Sequence, residues 1–269
     1  MAMVQRLPRQ LSLFGVEARP PNPLDLEGLL AGAGQLTRMG GTARVSLVVD
    51  APWRAAALRA ECALRGVASI VGPPDDGFTD FRTAYSAALA PLGARWLRGA
   101  EKCPPEHFVL DGRRLRLWVI AAGAPDGAHA FHLSVTAPER RAAVEPAEEA
   151  ELAVPKEAAD LDDAQESARD PSQEAADADA RKAAAKEERE ARRLELKRQR
   201  EERAAAKIAL EERLAPVEAA LAAAGLPAVL VDSRAGGSAY RIVGRRRLAR
   251  LAELIGDPPP QAPPGEWPV

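Results

Sequence analysis

Histidine, cysteine and aromatic residues are scarce in this chain, and each shortage closes off a class of chemistry. Its 269 residues include three histidines and two cysteines. Cys62 and Cys103 are far apart with no C-x-x-C, and read as reduced thiols, not a disulfide framework or a zinc site. Cys103 and His107 are four apart, but Pro104 and Pro105 keep a helix from presenting them together. His129 and His132 fall on opposite faces of a strand. A metal centre or a His-based triad therefore has little to draw on, and no metal or cofactor is expected. No run approaches the ~20 apolar residues that a membrane span requires, and Met1–Arg6 has no apolar run behind it to make a signal peptide. A cytoplasmic protein with no membrane partner is expected.

Bulk is unevenly supplied as well. Hydrophobic residues make up 46% of the chain but aromatics only 4%, much of the apolar content being alanine. Large apolar side chains gather towards the two ends, so one core assembled from two separated stretches is expected. The net charge of −2 hides an acidic tract around Glu145–Asp179 offset by Arg-rich stretches elsewhere. The total therefore does not argue against a nucleic-acid partner.

Residues 1–23, with Pro8, Pro20, Pro21 and Pro23, read as an extended tail. A helical pattern comes next, from Leu24 to Gly34, then strands Gln35–Met39 and Arg44–Val49 around a Gly40-Gly41 hairpin signal. Asp50 is expected to cap a helix with Pro52 just inside it, running to Arg65 and ending at Gly66. Val67–Val71 and Phe81–Ser86 read as strands around a Pro73–Gly77 turn, and a helix reaches Trp96-Leu97. Asp111 or Gly112 opens an apolar helix, Arg113–Gly123, and the turn Pro125-Asp126-Gly127 leads into an alternating strand, Ala128–Val135. Residues 138–206 are almost wholly Ala, Glu, Asp, Lys and Arg. Their acidic first half should be disordered, while Arg181–Arg203 is a mixed-charge helix former. A solvated spacer, open to a further protein partner, is favoured there over a nucleic-acid-binding helix. Order returns at Ile208 with a helix to Ala224, strands Ala228–Asp232 and Ser238–Val243, a helix Arg245–Ile255 and a Pro-rich tail, 258–269.

Written as elements, the ordered parts repeat one order twice: an apolar helix ending in Gly, strand text, an amphipathic helix, two short strands and a closing helix. Leu26-Glu27-Gly28-Leu29-Leu30-Ala31-Gly32-Ala33-Gly34 resembles the LAGLIDADG motif of homing endonucleases at Leu26, Gly28, Leu29 and Gly34. Leu115–Gly123 is a weaker copy, keeping its first Leu, Ala121 and the last Gly. The stretch after each copy is similar to the degenerate LAGLIDADG region of WhiA-type transcription regulators. The resemblance covers residues 24–136 and 208–257. It implies an α+β fold in which two pseudo-symmetric repeats form one saddle. Residues 24–110 would be the first repeat, and 111–137 with 207–257 the second, interrupted by the long charged, partly helical insertion 138–206.

In that family a carboxylate at the eighth motif position of each helix holds divalent metal at the scissile phosphates. Ala33 and Ala122 stand there in this chain, so the resemblance implies a protein that does not cut DNA and is not an enzyme of this kind. A saddle for double-stranded DNA would remain. Along the strands, Arg44 and Ser46 oppose Val45, Leu47 and Val49; His132 opposes Phe131, Leu133 and Val135; Arg241 opposes Tyr240 and Ile242. With Arg38, the turn residue Arg234 and the helix-opening Arg245, Arg246 and Arg247, these are the expected DNA contacts. An ordinary solvated strand face is the plainer alternative, and Val48 among the polar residues favours it.

Gln10-Leu11-Ser12-Leu13-Phe14 resembles the bacterial sliding-clamp-binding peptide, a Gln-Leu-(Ser/Asp)-Leu-Phe pattern of polymerases and repair factors. Leu13 and Phe14 would fill an apolar pocket, supplying about 3–6 kcal/mol before entropic costs, while the Gln10 amide donates and accepts hydrogen bonds. Docking of the tail on the protein's own core is the competing reading. Together the motifs suggest a nucleoid-associated, non-catalytic DNA-binding adaptor recruited to the DNA polymerase sliding clamp in replication or repair. A WhiA-like regulator is the alternative, weakened because a Pro-rich tail stands where those regulators carry a helix-turn-helix. An enzyme with an unfamiliar site is least supported, since clustered acids, histidines and phosphate loops are missing.

A peptide spanning Arg6–Glu17 should bind purified clamp at micromolar affinity, about −8 kcal/mol. Phe14→Ala and Leu13→Ala should each remove most of it, Gln10→Ala should cost about one hydrogen bond, and Ser12→Asp should be tolerated. The full-length Phe14→Ala protein should melt as wild type does. No peptide binding together with a lowered melting point would place the tail on the protein's own core.

Overall fold

The protein is represented by a computed structural model that describes residues 15–138, 171–232 and 237–268, with 171–191 as backbone alone. It forms two compact units: Met1–Arg140 with Glu211–Val269, and Arg141–Leu210. Gln10–Phe14 and Arg234 lie outside the described residues.

The first unit enters through a 3₁₀ turn, Pro23–Leu26, closed by a reciprocal box between Asn22 and Asp25, which satisfies backbone donors that would otherwise be orphaned. Helix α1 is Glu27–Ala31. Gly40 and Gly41, both at positive φ (49° and 76°), turn β1 (Gln35–Met39) into β2 (Thr42–Val49). Helix α2 is Pro52–Leu64; its N-cap is Ala51, with no side-chain cap. Asp50, expected to cap it, pairs with Arg54 Nε at 2.7 Å instead.

Strands β3 (Ser69–Asp75) and β4 (Phe78–Thr83) meet at Asp76-Gly77, both at positive φ. The turn is therefore narrower than Pro73–Gly77, and β4 begins before Phe81. Pro73 and Pro74 are accommodated because β3 is an edge strand whose register shifts between Val71 and Pro74, where a missing N–H costs little. Helix α3 (Ala90–Trp96) leads to a two-stranded hairpin, β5 (Leu97–Arg98) and β6 (Glu101–Lys102). In the sequence this hairpin passes for a plain connector.

Helix α4 (Gly112–Ala122) is capped by Asp111, whose Oδ1 accepts from the Arg114 N–H at 3.0 Å. Strands β7 (Gly123–Pro125) and β8 (Ala130–Ser134) come after it. Helix α5 runs unbroken from Pro171 to Ala223, past Ile208, because helix-forming residues continue there with no cap to stop them. Among its residues with described side chains, from Arg192 on, the buried ones lie in the last turns: Leu214, Val217, Ala220 and Leu221. Strands β9 (Val229–Asp232) and β10 (Ser238–Val243) and helix α6 (Arg245–Ile255) complete the order.

The strands form two antiparallel four-stranded sheets with the same internal order, β1-β2-β4-β3 and β7-β8-β10-β9. Each sheet is preceded by a helix, carries a helix between its second and third strands in sequence, and is followed by a helix. The core lies beneath them. Val45, Leu47, Val49 and Phe81 from one sheet and Phe131, Leu133, Tyr240 and Ile242 from the other are buried. Helix α4 is apolar nearly all round, with Leu115, Leu117, Trp118, Val119 and Ile120 buried, as a central helix must be. The C-terminal tail is packed as well. Trp267 is buried, donates from Nε1 to Gly256 O at 3.0 Å, and lies under Arg116.

Close approach of α1 to α4 depends on Gly28. A Cβ there would sit 1.9 Å from the carbonyl oxygen of Arg114, and one at Gly32 would meet the Trp118 ring at 2.7 Å. Gly28→Ala should therefore cost at least about 3 kcal/mol by forcing the helices apart. Gly41→Ala, with open space but positive φ, should cost about 1–2 kcal/mol. Denaturant titration of the two variants checks the order, and equal costs would show that α1 and α4 are not in contact.

Candidate nucleic-acid interface

The N-terminal ends of α1 and α4 are wrapped in buried ion pairs. Asp25 and Glu27 are fully buried. Asp25 accepts from Arg65 Nε at 3.1 Å, and Glu27 from Arg114 Nε at 2.8 Å and Trp96 Nε1 at 3.1 Å, with Arg95 at 2.7 Å. Glu61 bridges Arg65 and Arg116, each at 2.6 Å. Burial works to raise the Glu61 carboxyl, but hydrogen bonds from Arg116 and Arg65 outweigh it and hold it below the ordinary glutamate value. Arg116 continues to Ile255 O at 2.9 Å, tying α4 to the end of α6. Arg19 joins Asp111 to Asp25, and Arg113 Nε donates to Arg19 O.

The C-terminal ends are closed by cations. Lys102 Nζ donates to Gly32 O at 2.7 Å and Gly34 O at 2.8 Å, on either side of Ala33. Burial, with repulsion from Arg213, brings this ammonium down to about 8, so it keeps its proton at neutral pH. Arg54 reaches from α2 to the end of α4, donating to Val119 O at 3.3 Å, Ile120 O at 3.0 Å and Gly123 O at 2.7 Å. Ala122 stands between those last two acceptors. Asp50 at 2.7 Å and Glu266 at 3.7 Å balance the Arg54 charge. A helix end needs donors for its last carbonyls and favours positive charge, and both ends receive them.

On the outer face of the first sheet, Gln35, Ser46, Arg82 and Ile70 form one row across the strands, with Thr37 and Arg44 paired beside it. The Arg44 guanidinium lies 4.8 Å from the centre of the Tyr85 ring. Its Nε is buried without a hydrogen-bond partner, and among the described residues it has no carboxylate partner. Arg82 is exposed. The second sheet differs. Arg241 pairs with Asp126 at 2.7 Å, and His132 lies 3.3 Å from the same carboxylate. Exposed Val229 and Val243 share that face.

The expected contacts therefore divide. Arg44 and Ser46 share the first outer face. His132 and Arg241 share the second, where Asp126 offsets the Arg241 charge. Arg38 is exposed, pairs with Ala43 and shares the face of Leu36, with its side chain over Gly93 of α3. Arg245, Arg246 and Arg247 are exposed at the start of α6, and Arg247 donates to Val243 O at 3.1 Å. Sequence reasoning missed Arg82, Lys102 and Arg54. For Arg54 a signal exists: Arg54, Leu58, Glu61 and Arg65 recur at helical spacing, so charges occupy the inward face of α2.

No family model matches this chain, and no curated protein matches it. Among solved structures it is similar to the homing endonuclease I-WcaI bound to its DNA recognition sequence, at 9% identity and a TM-score of 0.45, over 86% of this chain and 78% of that one. A likeness at that level is too slight to assign fold or function.

Arg54→Met should strip three carbonyls at the end of α4 of their donor, at a cost of about 3 kcal/mol. Arg198→Met, on an exposed helix surface, should leave the melting temperature unchanged. A wild-type melting curve for Arg54→Met would mean that the α4 terminus is closed by something else.

Proposed function

We propose that this chain is a DNA-binding protein without nuclease chemistry, built from two pseudo-symmetric LAGLIDADG-like repeats and tethered to the sliding clamp through Gln10–Phe14. The repeats are supported by the shared strand order, the matching helices and the glycine-mediated contact of α1 with α4. Lack of cleavage is supported by Ala33 and Ala122 together with their surroundings. A divalent ion beside either alanine would have to displace the Lys102 ammonium or the Arg54 guanidinium from the helix-end carbonyls, and neither alanine offers an oxygen in exchange.

Arg44 is the observation that carries DNA binding. It is a guanidinium held against an aromatic ring, without a carboxylate partner among the described residues, and Arg82 stands on the neighbouring strand of the same face. Unlike Arg241, it needs no carboxylate displaced before it meets a phosphate. The clamp tether rests on the sequence motif and complements this small contact. Two phosphate contacts bind weakly alone, but tethering to a DNA-encircling partner raises the local DNA concentration to about millimolar.

Binding to duplex DNA should weaken as salt rises, each phosphate contact adding about 0.9 to the log–log slope. Arg44→Ala and Arg82→Ala should each lower that slope by about 0.9, while Arg38→Ala leaves it unchanged. Fluorescence anisotropy over a salt series measures this, and the same samples with magnesium or manganese should show no cleavage on a gel. A loss at Arg38 equal to that at Arg44 would overturn the assigned face. Metal-dependent cutting abolished by mutation of this protein would overturn the rest.

A further inference from the structure

Residues 192–209 of α5 are exposed and belong to the second unit, and their charges are sorted, up to Glu211 of the first unit, which falls on the same side one turn past Lys207. At about 100° per residue, Arg192, Arg203, Lys207, Arg200, Arg193 and Lys197 all fall within an arc of about 140°. The acids Glu195 and Glu202 lie on the far side, and Glu201 lies at the edge of the arc. The far side is also where the pairing is. Arg198, the cation that faces that way, holds Glu195 at 2.9 Å and Glu202 at 3.5 Å. Within the arc only Lys197 has a carboxylate partner among the described residues, Glu201 at 3.8 Å. All six cations are exposed, and they extend over about 22 Å of helix axis.

A helix that serves only as a solvated spacer gains by mixing signs around its circumference, because i,i+4 pairs stabilise it. Gathering six like charges along one side costs that helix stability and suits an anion lying along it. The spacing also identifies the anion. One cation per about 4 Å matches a continuous polyanion, duplex DNA carrying a charge every ~1.7 Å of axis. An anionic membrane would need an apolar side to insert, and none is formed: Leu194 and Ile208 are separated on their side by Glu201, and Leu196 lies among the arginines.

We propose that Arg192–Lys207 of α5 is a second nucleic-acid-binding surface, a cationic stripe that contacts the phosphate backbone of duplex DNA without reading its sequence. It goes beyond the sheet-face reading and does not depend on it.

The test uses the full-length protein and a 30-base-pair duplex of arbitrary sequence. Replacing Arg192, Arg193, Arg200 and Arg203 together with Gln should lower the salt slope by about 3.6, four contacts at ~0.9 each. The same four positions as Lys should restore the slope, which separates lost charge from lost helix. In a protein already carrying Arg44→Ala and Arg82→Ala, the stripe should still contribute its full slope, so failure of either surface is read independently. An unchanged slope in the Gln variant overturns the proposal, as does loss of binding in the Lys variant. Binding to phosphatidylserine vesicles that the Gln variant loses while keeping DNA affinity would assign the stripe to membranes and overturn it equally.

Discussion

Everything in the first unit turns on how α1 and α4 can lie in contact at the centre of the protein. Two helices buried side by side leave orphaned N–H groups at one end and orphaned carbonyls at the other, far from water. This chain answers with charge of the fitting sign at each end. Asp111 caps α4, and Asp25 and Glu27 lie where α1 begins; Lys102 and Arg54 take the last carbonyls. The carboxylates in turn need partners, because an unpaired buried charge costs several kcal/mol, and Arg65, Arg95, Arg114 and Arg116 supply them. Those arginines come from α2, α3 and α4, so satisfying the helix ends also fixes the surrounding helices. Gly28 permits the approach, and the ion pairs make it sustainable.

That arrangement bears on function. The helix ends that would lie nearest nucleic acid in a LAGLIDADG-like saddle are closed by the protein's own cations, so their charge is spent inside the fold. The first sheet keeps Arg44 without a carboxylate partner among the described residues, while Arg82 shares its strand face with exposed Asp80. The second sheet neutralises its arginine with Asp126 and carries exposed valines. Without cleavage chemistry to deliver at two phosphates, nothing holds the two faces equivalent under the proposed function.

Much of the fold was legible because it depends on periodicity. The alternation in β2, β8 and β10 and the all-round apolar pattern of α4 follow from burial. Gly40-Gly41 marks a turn that only positive φ allows. The failures have physical causes too. Pro73 and Pro74 look like a turn until β3 is known to be an edge strand, and misplacing that turn moved the start of β4 from Phe78 to Phe81. Lys102 sits on a two-residue strand, too short to carry a period. The ion network was illegible because an arginine reads as solvated, whereas its burial is decided by partners distant in sequence.

The two proposed DNA surfaces differ in a way that constrains how the protein would act. Arg44 is half-buried and ordered by Tyr85, so little conformational entropy is lost when it meets a phosphate. The α5 arginines are long, exposed and unconstrained, and each gives up rotamer freedom on contact. An ordered Arg44 and a loose stripe would therefore play separate parts. The stripe would supply long-range attraction and most of the salt dependence, because many weak charges act together and are screened together. The sheet would supply orientation, because the Arg44 guanidinium is held against the Tyr85 ring. A clamp tether would hold both near duplex DNA without demanding sequence preference from either. Non-specific phosphate contact is then sufficient for a DNA-bound adaptor, and base-reading side chains on the saddle become unnecessary, consistent with an outer face that mixes Arg44 and Arg82 with Thr37, Ser46, Val48, Ile70 and Asp80.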